Sequence, residues 1–390
     1  MKRPVVLSVR GLVAVTAAIA FVGCTEPTST SQNPRIAWLV RGVAGPGRPA
    51  VDDRTVYFIA DVDSHTVHAF DQMTGAPRWS ASTGLSGPGR FNIAGCAVSP
   101  LTVICGEGTN VVGLDKTDGR LRWSVGPAVT RYPGIYRGTV DSSGSTYFAP
   151  TPDNKVVALD AATGDVRWSA PVIGQATVLT SYRVADGGDL VFVPYTDFSS
   201  RRPAGGMLAL TKADGSQRWI TSFSSPDSSL GGKDVALWRD LVLGSFEDGR
   251  VRAFDRLTGQ VVWELPKVER YPSWFATPDA PIVADYQTLI IVGDVLTALS
   301  ESGWVVTYDL PKRKEIGRAT MNNASPRLFG SDGDMRGGYF MSNTGLMFSF
   351  SAGIPSLGLM SNSYSFVSAP RITADRVFIG SSEGYIAFTR

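Results

Sequence analysis

The sequence predicts an all-β fold assembled from repeated four-stranded units, on three observations. First, the stretch LDAATGDVRW ending at Trp168 has four relatives: FDQMTGAPRW ending at Trp79, LDKTDGRLRW at Trp123, LTKADGSQRW at Trp219 and FDRLTGQVVW at Trp263. Successive tryptophans are 44, 45, 51 and 44 residues apart, a period that marks a repeat array. Second, 42 glycines and 24 prolines in 390 residues suit many short strands joined by turns, and no sustained 3.6-residue apolar pattern follows the N-terminal segment. Third, the two ends are complementary. Trp38 stands 41 residues before Trp79 with no hairpin ahead of it, whereas Gly384–Arg390 matches the strand before the Thr-Gly turn and lacks the Trp strand after it.

Each motif reads as the end of a hairpin. An alternating segment such as Val156–Asp160 is a strand, Thr163-Gly164 is the turn, and the Arg-Trp that follows lies in the next strand. The turn needs a residue that tolerates positive φ, which selects Gly. A Trp is too large to stand alone on a sheet face, so Trp38, Trp79, Trp123, Trp168, Trp219 and Trp263 are expected as wedges between one repeat and the next.

Counting units gives eight. Blade one covers about 48–80, blade two 92–124, blade three 137–169, blade four 177–220 and blade five 230–264. Blade six is degenerate, with Gly317 at the Trp position, and blade seven, about 326–360, has Leu359 there. Blade eight is 368–390 plus the Trp38 strand. Pairing that strand with the C-terminal one completes the last unit and joins it to the first, leaving no open edge between them. The expectation is an eight-bladed β-propeller of four-stranded antiparallel blades over residues 35–390. At this length a chain exceeds the usual single core, and stacked repeats escape that limit because each buries its face on its neighbour.

The first residues stand outside the repeats. Lys2, Arg3 and Arg10 precede or flank a short apolar run, Gly11–Val22, which is too short for a comfortable membrane span and reads as an export signal over residues 1–23. Phe21-Val-Gly-Cys24 resembles the lipobox of bacterial lipoproteins, in which the Cys is lipid-modified and becomes the first mature residue. Residues 24–34, rich in Ser, Thr and Pro, form a flexible tether on this reading. Removing residues 1–23 takes the formal net charge from +2 to −1, so the mature domain is near neutral and nucleic acid is not an expected partner.

Two further cysteines, Cys96 and Cys105, flank a Ser99-Pro100 turn that would set them opposite each other, and an exported chain meets oxidising conditions; a disulfide is expected. Their spacing fits neither a CxxC redox motif nor a CxxCH haem site. His65 and His68 are expected as a solvated pair on an exposed hairpin, and no metal site is expected.

The A-x-D-x-x-T-G-x-x-x-W pattern, complete from Ala69 to Trp79 and from Ala253 to Trp263, resembles the PQQ-type (quinoprotein-like) β-propeller repeat over nearly all of 35–390. The lipobox, the length and eight such blades together resemble the BamB-type lipoproteins, accessory to the outer-membrane β-barrel assembly machinery. That narrower resemblance rests on architecture and carries over no partner-binding residue. It implies a non-catalytic, lipid-anchored periplasmic scaffold with envelope proteins as partners. The quinoprotein dehydrogenases of the same repeat family use PQQ and calcium, with adjacent cysteines by the cofactor. This chain has no Cys-Cys pair and no dense carboxylate loop; Asp332-Gly-Asp334 is expected to be a turn. Asp118-Gly119 and Asp214-Gly215 are directly adjacent and do not fit an Asp-box. Two histidines and no Ser/His/Asp spacing give nucleophilic catalysis little footing. No cofactor is expected, PQQ and calcium entering only if the chain is a dehydrogenase of sugars or alcohols.

Binding residues are expected on the face shared by interblade loops and second-hairpin loops. Two interblade segments echo each other there: Arg131, Tyr132 and Tyr136 in RYPGIY, and Arg270, Tyr271, Trp274 and Phe275 in RYPSWF. Arginine beside aromatics is the composition of an interface hot spot, although the same aromatics could brace adjacent blades. Tyr195–Gly206 reads as an insertion within a hairpin, carrying Phe198, Arg201 and Arg202, while Ser-rich Thr221–Gly232 reads as surface decoration. A carbohydrate- or cell-wall-binding propeller, stacking sugars on Tyr136, Tyr271 or Trp274, is a third reading.

Overall fold

The structure, a computed structural model, describes residues 35–42, 47–60, 66–82, 91–107, 110–126, 138–151, 155–172, 177–178, 184–197, 204–225, 230–266, 286–300, 304–320, 328–334, 337–342, 347–351, 354–361, 366–368 and 370–390. The regular elements among them are all strands, and they form eight antiparallel sheets. Blade one is ordered Ala50–Val51, Thr55–Ile59, Thr66–Asp71, Pro77–Ser82 from the channel outward, and blade three Thr139–Val140, Thr146–Pro150, Lys155–Asp160, Val166–Pro171. Blades two, five, six and seven repeat this plan over 91–125, 232–265, 286–320 and 328–361. Blade four departs from the expected four strands: Thr177–Val178 and Ala185–Asp186 both pair with Leu190–Asp197, making a five-stranded sheet.

Blade eight takes its outer strand from the start of the chain. Ile36–Arg41 pairs with Gly384–Thr389, with Trp38 opposite Ala387 and Arg41 opposite Gly384. Blade eight packs on blade one through Trp38, Phe58, Phe70, Phe378 and Tyr385. The rings of Phe58 and Tyr385 stack at 4.1 Å, and the Tyr385 hydroxyl donates to the Ile59 carbonyl at 3.0 Å.

The core lies between blades. One apolar cluster joins blades one and two, and others join two and three, three and four, four and five, and five and six. Alternation along each strand sends successive side chains to opposite sheet faces, and blades one to five each bury both.

The motif tryptophans sit on the outer strands and act on the following blade. Trp38, Trp79, Trp123, Trp168 and Trp219 each lie against the turn glycine of the next repeat, respectively Gly75, Gly119, Gly164, Gly215 and Gly259. At Gly215, φ is +73° and a Cβ would fall 2.5 Å from Cε3 of Trp168. Gly is therefore demanded twice there, by backbone conformation and by the ring. Four of these tryptophans also donate an indole hydrogen bond to the carbonyl that opens the neighbouring turn. Trp38 donates to Gln72 and Trp79 to Lys116, both at 3.1 Å, and Trp168 donates to Lys212 and Trp219 to Arg256, both at 2.9 Å. Trp123 differs: Thr102 Oγ1 donates to the corresponding Ala161 carbonyl at 2.6 Å, and the indole nitrogen has no hydrogen-bond partner among the described residues. Five of the six motif tryptophans are buried, while Trp79 is only half-buried.

The degenerate blade six keeps the geometry with other residues. Gly317 faces Thr307 in the register that elsewhere sets Trp opposite a small residue, as in Ala253↔Trp263. The turn position held by glycine elsewhere is Arg313, at φ +53°, and its guanidinium lies over the ring of Trp263 at 5.8 Å.

Three expectations are corrected. Both ends of the Tyr195–Gly206 insertion are strand: Leu190–Asp197 and Ala204–Thr211 pair throughout, with Tyr195 opposite Gly206, so the blade's two central strands run longer than the repeat predicts, and residues 198–203 lie outside the described residues. Thr221–Phe223 is not decoration but the end of an outer strand, where Phe223 packs on Phe246 and Phe254. Asp332-Gly-Asp334 ends a strand instead of forming a turn, with Asp332 opposite Tyr339 and Asp334 opposite Gly337.

Candidate binding site

The innermost strands surround a central channel with a cavity of about 690 Å³. Aliphatic side chains line it at Ala50, Val51, Ala97, Val98, Val140, Val184, Ala185, Ala236, Leu237 and Leu289–Ile291. Polar side chains join it at Arg48, Thr139, Ser142, Tyr147, Asp186 and Arg371. Alternation explains the mix: inner-strand residues pack on neighbouring blades on either side, and small or aliphatic groups fit the narrow axis.

A charged group closes one part of this wall. Lys212, in the turn of blade four, reaches Asp141 of blade three at 3.1 Å and Asp186 at 3.0 Å. The Ser142 amide donates to the second oxygen of Asp186 at 2.7 Å, while Asp141 accepts from the amides of Ser145 and Thr146. Burial alone would raise the Asp141 pKa, but these amides, Ser143 and Lys212 outweigh it and hold the carboxyl below its usual value. Lys212 is the mirror case. Burial works against its charge, and the hydrogen bonds to Asp186 and Asp141 prevail, so its pKa is raised. This triad is not legible in the sequence because its members come from separate turns, and Lys212, though inside the LTKADGSQRW repeat, holds a position that is Gln72, Lys116, Ala161 or Arg256 in the other copies.

Cys96 and Cys105 are cross-strand partners, with Cα atoms 4.3 Å apart, and are joined by a disulfide; Cys96 lines the channel. His68 is not solvated: it is half-buried beside Phe70 and Tyr385, and desolvation lowers its pKa. His65 lies outside the described residues, as do Cys24, Arg131, Tyr132, Tyr136, Phe198, Arg201, Arg202, Arg270, Tyr271, Trp274 and Phe275. In sequence, those last ten fall between described strands.

The donor set bears on cofactor chemistry. A calcium ion calls for six to eight oxygen ligands. Among the described residues the channel wall supplies one carboxylate, Asp186, already engaged by Lys212 and an amide, and no group of three His, Cys, Asp or Glu side chains could hold a metal. The described wall does not fit a calcium–quinone pair.

Eight sheets in this order, five of their seams sealed by a Trp on the next blade's turn glycine, define the class as a PQQ-type β-propeller. Residues 2–81 and 107–325 match the family model described as outer membrane protein assembly factor BamB, and the chain belongs to that family. It is 28% identical over 198 residues to the outer membrane protein assembly factor BamB of Yersinia pestis, covering 48% of this chain and 46% of that protein. Over 132 residues it is 33% identical to a Paracoccus denitrificans protein named as dehydrogenase XoxF, covering 31% of this chain and 21% of the other. The chain thus spans less than half the length of these curated relatives. Among solved structures, BamB from Moraxella catarrhalis superposes with a TM-score of 0.57 at 18% identity, over 90% of this chain and 87% of that one. The quinohemoprotein alcohol dehydrogenase ADHIIG of Pseudomonas putida HK5 gives 0.64 at 14% identity, over 90% and 72%. At these identities the structural likeness speaks to fold alone.

Proposed function

We propose that this chain is a non-catalytic scaffold of the cell envelope, anchored by a lipid on Cys24 and binding protein partners in outer-membrane protein assembly. The observation that carries this reading is the family match across residues 2–81 and 107–325. The channel wall, whose one carboxylate among the described residues is already engaged, supports it. On this reading the unequal loops of one face, with Arg131, Tyr132, Tyr136, Arg270, Tyr271, Trp274 and Phe275 on interblade segments and Phe198, Arg201 and Arg202 in blade four, make the contacts. Affinity capture of the tagged full chain from envelope extracts should enrich components of the β-barrel assembly machinery. Recovery of none of them would sink the reading. Labelled palmitate should mark the wild type and not Cys24→Ser, which should leave the membrane fraction.

A second reading, a PQQ-dependent dehydrogenase, is favoured by the similarity to dehydrogenase XoxF over 132 residues. Such a cofactor would supply the redox chemistry, and no step is assigned to residues of this chain. A bound-cofactor absorbance together with dye reduction, after addition of PQQ and calcium, would replace the scaffold reading with this one.

A further inference from the structure

On the outer edge of six blades, one residue is bulged out of the ladder just before the Trp position. In blades one to four it is arginine: Arg78, Arg122, Arg167 and Arg218. The first three pair with the motif aspartates Asp71, Asp115 and Asp160, each at 2.8 Å. A bulge carrying a charge is a standard way for an edge strand to refuse a partner.

Blades five and six depart from this together. Their bulged residues are Val262 and Ile316, 49% and 44% exposed, and Leu257 on the blade-five turn is 60% exposed. Beside them runs the most basic of the motif turns, in which Lys312, Arg313 and Lys314 are consecutive and exposed. The stacking of Arg313 on Trp263 fixes that turn against the outer strand of blade five. Asp309 balances Lys312 and Glu315 balances Arg318, whereas Lys314 has no ion-pair partner among the described residues. At the bulged position, two adjacent blades have thus exchanged arginine for an aliphatic side chain flanked by net positive charge, whereas the exposed Leu121 and Val166 of blades two and three each neighbour a bulged arginine.

We propose that this rim of blades five and six docks a protein partner through a segment of apolar side chains flanked by Asp or Glu. The proposal rests on the scaffold reading and names where and by what chemistry the partner is held. Charge complementarity selects an acidic segment, and the exposed aliphatics supply the desolvated contact. A membrane surface is the poorer fit. Interfacial sites set Trp or Phe beside their basic residues, and among the described residues the exposed large hydrophobics include no aromatic.

The test places a photo-crosslinking amino acid at position 262 or 316 of the full chain in cells, with position 122 as the control edge. The expected result is one polypeptide crosslinked at both positions and not at the control, mapped by mass spectrometry to an acidic, apolar-flanked segment. Lys312→Glu with Lys314→Glu should reduce that adduct about tenfold or more, since like charges then face each other. Adducts equal to the control, adducts to lipid, or adducts only to a second copy of this chain would each overturn the proposal. Val262→Arg with Ile316→Arg restores the residue found in blades one to four, so the fold should persist. If this double variant captures assembly components as well as the wild type does, the rim proposal fails while the scaffold reading stands. If the wild type captures none, the scaffold reading itself fails.

Discussion

The seam between blades three and four and the seam between blades five and six meet the same demand with different residues. In the first, Trp168 lies flat against Gly215 and donates to the Lys212 carbonyl. In the second, Trp263 meets Trp238 edge-on at 6.4 Å and is covered by Arg313, which adopts the positive φ that glycine holds elsewhere. The repeat therefore conserves a shape more strictly than a set of letters: a turn with one left-handed residue, and a flat group over the preceding ring. A long cation does the second job at the cost of a strained first.

The largest expected effect comes from removing the ring at the regular seam. Trp168→Ala should lower stability by about 3–5 kcal/mol, through lost burial, a cavity and a lost hydrogen bond, measurable as a shift in the denaturant midpoint. An unfolding curve indistinguishable from wild type would refute the wedge.

Next comes the charged group that ties the same two blades near the channel. Lys212→Met leaves Asp141 and Asp186 buried without their cation, and breaking a buried pair costs about 3 kcal/mol or more near neutral pH. The Asp141 carboxyl is held below its ordinary 3.8, so its contribution is present above that pH and fades as pH falls through the lowered value. Lys212 is raised above 10.5, so its contribution persists below 10.5 and is lost as pH climbs through the raised value. The deficit of Lys212→Met relative to wild type should thus shrink in acid, as urea titrations at neutral and strongly acidic pH would report. A deficit independent of pH would show that the lysine serves only as packing.

Gly215→Ala should cost about 2 kcal/mol, since strain of the left-handed backbone alone is on the order of 1–3 kcal/mol and the ring must also shift. The smallest effects belong to the irregular seam. Arg313→Ala keeps the strained φ and loses the stacking, for about 0.5–1 kcal/mol. Arg313→Gly relieves the strain while losing the same stacking, and should lie within about 0.5 kcal/mol of wild type. Thermal unfolding of the pair decides the matter: if Gly is no better than Ala, the backbone at 313 is unstrained.

How much was legible follows the same division. The eight blades, their boundaries, the wedges and the completion of blade eight by the Trp38 strand could be read because a hairpin, a turn glycine and a Trp recur at one period. The Ala69↔Trp79 and Ala158↔Trp168 pairs repeat that register in three dimensions. What could not be read was set by contacts between distant segments. Lys212 looks like any solvated turn lysine until blade three brings Asp141 to it. His68 looks exposed until Tyr385, 317 residues later in the sequence, covers it. Tyr195–Gly206 looked like a loop because its extra length breaks the period, yet added residues on both sides of a hairpin pair with each other as readily as they form a loop. Val262 and Ile316 were visible as letters, but their meaning depended on the bulge that turns them outward.

The pairing of Ile36–Arg41 with Gly384–Thr389 also dictates an order of events. A chain delivered first residue first releases this strand long before its partner exists. Seven sheets can form behind it while its backbone donors and acceptors remain on offer to any passing edge. Completion of the eighth waits until residues 384–389 have followed. A chaperone that shields residues 36–41 should therefore accelerate recovery of native protein more than one that binds any other strand.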